Sequence, residues 1–447
     1  MEKKTFRYNI NTLLIALVAF FATWGEGMQM ILPRASLLFP LLVVVYIIWN
    51  FIPFLNTIER KRIVKTIREK KTVKTVLRRR IVPREFKYLF VFVVIHTLIY
   101  VSLNTSSFSF STEMGNANAE GFSYGKSGSG TVLVRYLIFL LFSLFLTVSL
   151  SKERNIKVFS LFYSLGFCGT ILLGGASHGY ANSLIRFSGG LQDPNAMGFD
   201  GLIALMFTLY YLNCFRTNKT KILLFFLLLV EIVAVLLSFS RGAYLALFIW
   251  AFLYFCRIGL FKHLWKIVIV LFILIIAGNL VLKKMQIDSD TLRTRFSLEE
   301  IRESKGSTRG DIWAAYLANI NKYFVLGVGF NNSPSVIKGN TQGVDERYET
   351  HNLYLQFLVE YGFIGFLLYL LYWLGFIKLF KRIRGPVFFL YSMGILMMLI
   401  TAFLNIDKGR TFWIVFAVIN MVWMRYKALG VKQRRKNESI SSLRTSQ

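Results

Sequence analysis

Arg309, in Ser307-Thr-Arg-Gly-Asp-Ile-Trp313, and His351, in Thr350-His-Asn-Leu-Tyr354, bracket a polar stretch that ends at the mouth of a very apolar segment. Arg241, in Ser240-Arg-Gly242, follows one apolar run and precedes another, and Arg186 lies between Leu184-Ile185 and the turn Phe187-Ser-Gly-Gly190. A guanidinium is planar and always charged, and it matches phosphate oxygens with forked hydrogen bonds. An imidazole takes a proton near neutral pH. Several arginines converging on one histidine would make a pyrophosphate clamp beside a general base. Taken singly, each arginine is more simply a membrane-boundary anchor reaching toward headgroups. Taken singly, His351 beside Asn352 is more simply part of a helix cap.

Composition decides what must position these residues. The chain has 447 residues, 55% apolar, with 43 phenylalanines, seven prolines and a mean hydropathy of +0.52. That balance fits a polytopic membrane protein, because apolar runs of about 17–25 residues each suffice to cross the bilayer core. Hydropathy places helices near 10–28, 35–55, 88–104, 131–150, 158–176, 196–214, 222–239, 243–260, 267–283, 353–377, 386–404 and 412–427. The expected fold is therefore all-α: one integral membrane bundle of about twelve transmembrane helices, with the first helix retained rather than cleaved. Cys168, Cys214 and Cys256 have neither disulfide-framework nor metal-ligand spacing, so no metal and no cofactor are expected.

The segments between helices alternate in charge. Those on the side of the N-terminus hold 36 of the 53 lysines and arginines, 13 of them in residues 56–87. The opposite side holds 16, ten of them in residues 283–352. The positive-inside rule then puts both termini and the tail 428–447 in the cytoplasm. It puts Arg186, Arg241, Arg309 and His351 together on the outer face, although those residues played no part in placing the helices. The net charge of +30 mostly follows this sidedness and gives no reason to expect nucleic acid. Residues 56–87 read as a basic helix on anionic lipid or as a plain topological anchor.

The 283–352 loop is long enough to be functional. It contains a predicted helix over 311–321, capped by Ser307 or Thr308, with Trp313 and Tyr316 to pack, which makes an ordered cap the expectation. Residues 104–130, rich in Ser, Gly and Asn, are expected to be flexible. His178, in Gly174-Gly-Ala-Ser-His-Gly179, shares the outer face and could line a cleft. Asp193-Pro-Asn195 reads as a helix start with Asn195 as the cap, positioning Arg186. Glu231 and Glu360, inside apolar spans, each need a partner, expected on a neighbouring helix. Gly327 and Gly329 permit a tight chain approach, and Gly-x-Gly alone is weak grounds for phosphate binding.

The segments Arg186–Asn195, Ser240–Gly242 and Ser307–Gly365, in this order among apolar spans, resemble the signature of the O-antigen ligase and polymerase family of bacterial envelope polysaccharide enzymes. The resemblance implies a metal-independent, inverting glycosyltransferase in the bacterial cytoplasmic membrane. Its donor would be a glycan on undecaprenyl pyrophosphate and its acceptor a sugar hydroxyl, with membrane lipids and other polysaccharide-assembly proteins as further partners. His351, Arg309 and Arg241 would be catalytic, and Arg186, His178, Asn352 and Asp193 substrate-binding. Polymerisation of repeat units of a capsular, exopolysaccharide or O-antigen polysaccharide is the first expectation. Alternatives are a ligase that moves the finished glycan to another acceptor, and a flippase for lipid-linked sugars. A flippase should spread charge through many spans and show pseudo-repeat halves, whereas the polar residues here gather beside one loop.

The charge split makes sidedness directly measurable. An impermeant thiol reagent outside the cell should label Ser304→Cys and spare Ser441→Cys. The reverse pattern would invert the topology.

Overall fold

The computed structural model describes residues 2–24, 37–51, 83–103, 129–174, 177–179, 185–189, 193–214, 218–259, 309–337, 349–404 and 409–426. They form an all-α bundle: α1 (Glu2–Phe21), α2 (Leu37–Phe51), α3 (Arg84–Leu103), α4 (Ser129–Leu150), α5 (Glu153–Gly174), α6 (Pro194–Cys214), α7 (Asn218–Leu237), α8 (Arg241–Ile258), α9 (Arg309–Ala318), α10 (Leu353–Ile377), α11 (Val387–Thr401) and α12 (410–426). Eleven of the twelve expected spans coincide with one of these helices; the twelfth, 267–283, lies outside the described residues, as do 56–82, 104–128, 427–447 and the proposed caps Ser307 and Thr308. Six of the helices are long and apolar enough to cross a membrane, and α2 and α11 are shorter apolar helices. α1 starts at Glu2 rather than near residue 10, because backbone hydrogen bonding continues through polar residues that hydropathy does not score. A three-residue antiparallel ladder, β1 (Ser177–Gly179) with β2 (Ile185–Phe187), sits between α5 and α6.

α6 and α12 are buried along most of their length and form the axis of the bundle. α7 and α8 lie outside them and present Ile222, Phe225, Phe248 and Phe252 outward, as lipid-facing helices should. The buried carboxylates are held by hydrogen bonds. Glu231 accepts from Thr208 of the adjacent α6 at 2.7 Å, the neighbouring-helix partner expected for it. Asp200 on α6 accepts from Thr411 at the start of α12 and faces the charge of Arg410. Arg410 in turn donates to the Trp24 carbonyl at 2.6 Å and lies over the Phe39 ring.

Contacts between helices sort their ends onto two faces. Thr12 meets Asn155 and Thr23 meets Thr170, so α1 and α5 run parallel. Tyr372 stacks on Phe416 and Phe376 meets Trp423, so α10 and α12 run parallel. α3 runs against α10, with Phe86 on Tyr372 at one end and His96 on Tyr361 toward the other. One face therefore gathers the β1–β2 ladder and the starts of α6, α8, α10 and α12. The other gathers Glu153, Arg257, the turn 378–386 and Arg425.

α10 is broken at Gly362 (φ 67°, ψ −171°). The break strips Val359 and Glu360 of their usual amide partners, and a carbonyl left unpaired away from water is costly. The loop after α9 supplies the missing donors: Val328 N to Val359 O at 2.8 Å, and Gly329 N to Glu360 O at 3.0 Å. Phe363 N returns a bond to Phe324 O at 2.7 Å. Gly327 makes this possible: at φ 74°, a Cβ there would lie 2.3 Å from the Glu360 carbonyl oxygen. The Gly327-x-Gly329 pair is thus the tight chain approach that the sequence suggested. His96 of α3 donates through Nε2 to Leu326 O at 2.7 Å, and Asn332 Nδ2 donates to the Tyr100 hydroxyl at 2.6 Å.

Substitution at Gly327 should cost much more than at another left-handed glycine. Gly385 has φ 64° and nothing within 4 Å of a built Cβ, so Gly385→Ala carries only the backbone penalty of about 1–2 kcal/mol. Gly327→Ala adds a clash with main chain and should cost about 3 kcal/mol or more. Thermal unfolding of both variants in detergent compares them.

Candidate functional site

Each candidate residue sits at or beside a local start signal. Asp193 precedes α6 and its Oδ1 accepts Asn195 N at 2.9 Å. Asp193 is therefore the cap, with Pro194 at the first helical position, and the expected cap Asn195 instead lies within the first turn. The correction has a simple cause: proline's fixed φ and missing N–H suit the first helical position, which puts the cap at Asp193, two residues before Asn195. Ser240 caps α8 by accepting Ala243 N at 3.4 Å, and its own N donates to Ser238 Oγ at 3.2 Å. Phe239 just before it is buried at φ 46°, and this left-handed residue turns the chain from α7 into Arg241.

α10 begins in the same way. Asn352 Oδ1 accepts Tyr354 N at 3.0 Å and Leu355 N at 3.1 Å. Such a cap is worth about 1 kcal/mol. Asn352 was expected at the substrate; its side-chain oxygen is occupied in capping. His351, one position earlier, is not the cap, and it stands in the left-handed region at φ 47°. Non-glycine residues adopt this conformation only when their surroundings enforce it. Two contacts do so here. Trp313 Nε1 of α9 donates to the Thr350 carbonyl at 2.8 Å, and Thr350 Oγ1 bonds Gln356 Oε1 at 2.9 Å. Gln356 continues to Ser333 Oγ at 2.9 Å and to Glu360. Glu360 thus has a hydrogen-bond partner, Gln356, on its own helix.

The electrostatics bring three of the candidates together. Burial lowers the His351 pKa, and the positive charge of Arg309 lowers it further; Glu349 and Asp193 act in the opposite sense. His351 is thus within electrostatic reach of the first residue of α9 and of the cap of α6. The start of α8 joins the same face: a Cβ on Gly198 of α6 would lie 2.8 Å from Ala243, and Gly242 faces Phe403 at the end of α11. The Tyr354 hydroxyl donates to Met398 O of α11 at 3.0 Å, tying the start of α10 to that same end. Arg186 and His178 are cross-strand partners in the β1–β2 register, and β2 contacts α7. The amino ends of α6, α8 and α10, with Arg241 and Arg309 at helix starts, make this face strongly attractive to anions. A histidine held neutral beside a positive pocket can accept a proton while bound phosphates keep their charge.

Sequence reasoning missed Glu349, whose carboxylate opposes Arg309 at His351, and the Asp200–Thr411–Arg410 group beneath the face. Glu349 adjoins the motif and could have been noticed. Charged residues within apolar runs are the signal for Asp200 and Arg410. His96, within the apolar α3, holds the Leu326 carbonyl.

A sequence profile described as O-antigen ligase matches residues 222–370, which include Arg241, Arg309, His351 and Asn352 and exclude His178, Arg186 and Asp193. An O-antigen polymerase of Salmonella muenchen is 28% identical over 261 residues, 56% of this chain. The chain spans 60% of that relative's length. Over residues 222–370 the chain is thus similar to the O-antigen ligase family, and over a longer stretch to an O-antigen polymerase.

Proposed function

We propose that this protein is a membrane glycosyltransferase that polymerises repeat units of an envelope polysaccharide from an undecaprenyl-pyrophosphate donor. The observation that carries this reading is His351. It is held in a left-handed turn ahead of the Asn352 cap, with a lowered pKa, within reach of Arg309. A neutral imidazole takes the proton of an acceptor sugar hydroxyl as that oxygen attacks the anomeric carbon. The new C–O bond forms opposite the bond to the pyrophosphate, which breaks with its electron pair and leaves undecaprenyl pyrophosphate. Attack from the opposite side inverts the anomeric centre. Arg309 and Arg241, with Arg186 on the adjoining ladder, hold the phosphates and stabilise the charge that grows on the leaving oxygen. Arginines and helix amino ends can supply this stabilisation without a metal ion.

Polymerisation is favoured over ligation by the Salmonella muenchen relative, which is an O-antigen polymerase. The excess of lysine and arginine on the face opposite the site supports an outer-face site in the bacterial cytoplasmic membrane, with both termini inside. Lipid-linked glycan and acceptor glycan would meet there at the membrane surface.

His351→Asn is the cleanest test. Asparagine tolerates the left-handed backbone, leaves the Asn352 cap in place and accepts no proton at neutral pH. The variant should reach the membrane at normal abundance and make no polymer, with single repeat units accumulating. Polymer near the wild-type level would refute the assignment, and long glycan stranded on lipid would point to a ligase.

The charge pattern also fixes the direction of a pH effect. With its pKa lowered, His351 is neutral at pH 7, so activity should fall only as pH drops through a value below the ordinary 6.5. Arg309→Gln removes a lowering influence and should move this acid limb, measured on residual activity, to higher pH. Glu349→Gln removes a raising influence and should move it lower. Shifts of equal sign in the two variants would exclude His351 as the titrating group.

A further inference from the structure

The turn after α9 exposes an apolar run where an aqueous loop would carry polar residues. Val325 is 68% exposed, Leu326 73%, and Phe324 beside them is also exposed. Two helices fix the depth of this turn. Leu326 is bonded to His96, only 11 residues along α3 from the charged Glu85 at the opposite face, about 17 Å at helical rise. Phe324 is bonded to Phe363, 15 residues from Lys378 on that same face, or about 23 Å. Both spans are shorter than the roughly 30 Å of bilayer hydrocarbon. Measured from either helix, the turn lies below the headgroup level of the face that carries His351.

The surface around it is continuous with lipid-facing surface. Ile95, Leu98 and Ile99 on α3 and Phe363, Ile364, Leu367 and Leu371 on α10 are all exposed. Irregular backbone at such depth requires its polar groups to be paired by protein. The Tyr323 carbonyl is taken by Gly327 N at 2.8 Å, Phe324 O by Phe363 N, and Leu326 O by the His96 ring. A histidine within a membrane helix, spent on one loop carbonyl, is hard to account for if water could reach that oxygen. Lys322, the nearest cation in sequence, turns its ammonium to the Val336 carbonyl.

We propose that Phe324–Leu326 is a re-entrant segment, seated in the hydrocarbon of the leaflet on the His351 face, with phospholipid acyl chains as its partner. The outer loop would then be keyed into the bilayer as well as into α10. The proposal concerns the seating of the loop and holds whatever reaction the site performs.

Spin labels at Val325→Cys and Leu326→Cys test it in the full chain, with Cys168→Ala, Cys214→Ala and Cys256→Ala, reconstituted in phosphatidylglycerol/phosphatidylethanolamine nanodiscs. Ile364→Cys is the lipid reference and Ser335→Cys the aqueous one, and monodisperse elution confirms the fold of each. Collision with oxygen should exceed collision with a water-soluble nickel chelate at both test sites, as at Ile364→Cys. Nickel-dominated collision would place the turn in water. Immobile labels that neither reagent reaches would mean that protein covers the turn. Either result overturns the proposal.

Discussion

Two backbone carbonyls inside a membrane helix govern much of this structure. When α10 breaks at Gly362, Val359 and Glu360 lose their helical donors in a setting where water offers no replacement. Val328 and Gly329 fill the gap, and that pairing fixes the height of the turn that follows α9. Everything toward the amino end of α10 then follows. The loop brings Ser333 to Gln356, α9 sets Trp313 on Thr350, and the chain enters the helix at His351 in a conformation it would not choose alone. The apolar cluster of Ile312, Tyr316, Tyr323 and Val359 fills the space between loop and helix.

The electrostatic character of the face has the same economy. Helix starts converge there because the chain crosses the bundle back and forth, and their dipoles add to Arg241 and Arg309. Burial first, and then the charge of Arg309, drive His351 toward its neutral form, while Glu349 and Asp193 limit the drive. The balance between burial and these three charges sets the pH at which the imidazole loses its charge.

Much of this was legible in the sequence. Hydropathy located eleven of the described helices, because a membrane span must be long and apolar whatever it packs against. Arg309, His351 and Asp193 stand out by type and position, and the charges of Arg309 and Asp193 both act on His351. Other features were hidden for physical reasons. Gly362 sits inside a segment that hydropathy reads as one span, 353–377, so the kink is not seen until the loop that repairs it is seen. Asp193 rather than Asn195 caps α6, a two-residue difference that turns on proline geometry. The pairing of Asp200 with Thr411 joins positions far apart in the chain. The short β1–β2 ladder is too brief to leave a periodic pattern.

The hydrogen bond from Tyr354 to Met398 has a mechanical meaning. Arg309 and His351 ride on the unit formed by α3, α9, α10 and the turn after α9, whereas Asp193 and Arg241 ride on α6, α7 and α8. α11 packs against both α6 and α8 and meets the first unit through α10. The spacing between His351 with Arg309 on one side and Asp193 with Arg241 on the other is therefore governed by the seam between α10 and α11. A slip of one helix along that seam would widen or narrow the gap between the two groups without disturbing either helix cap.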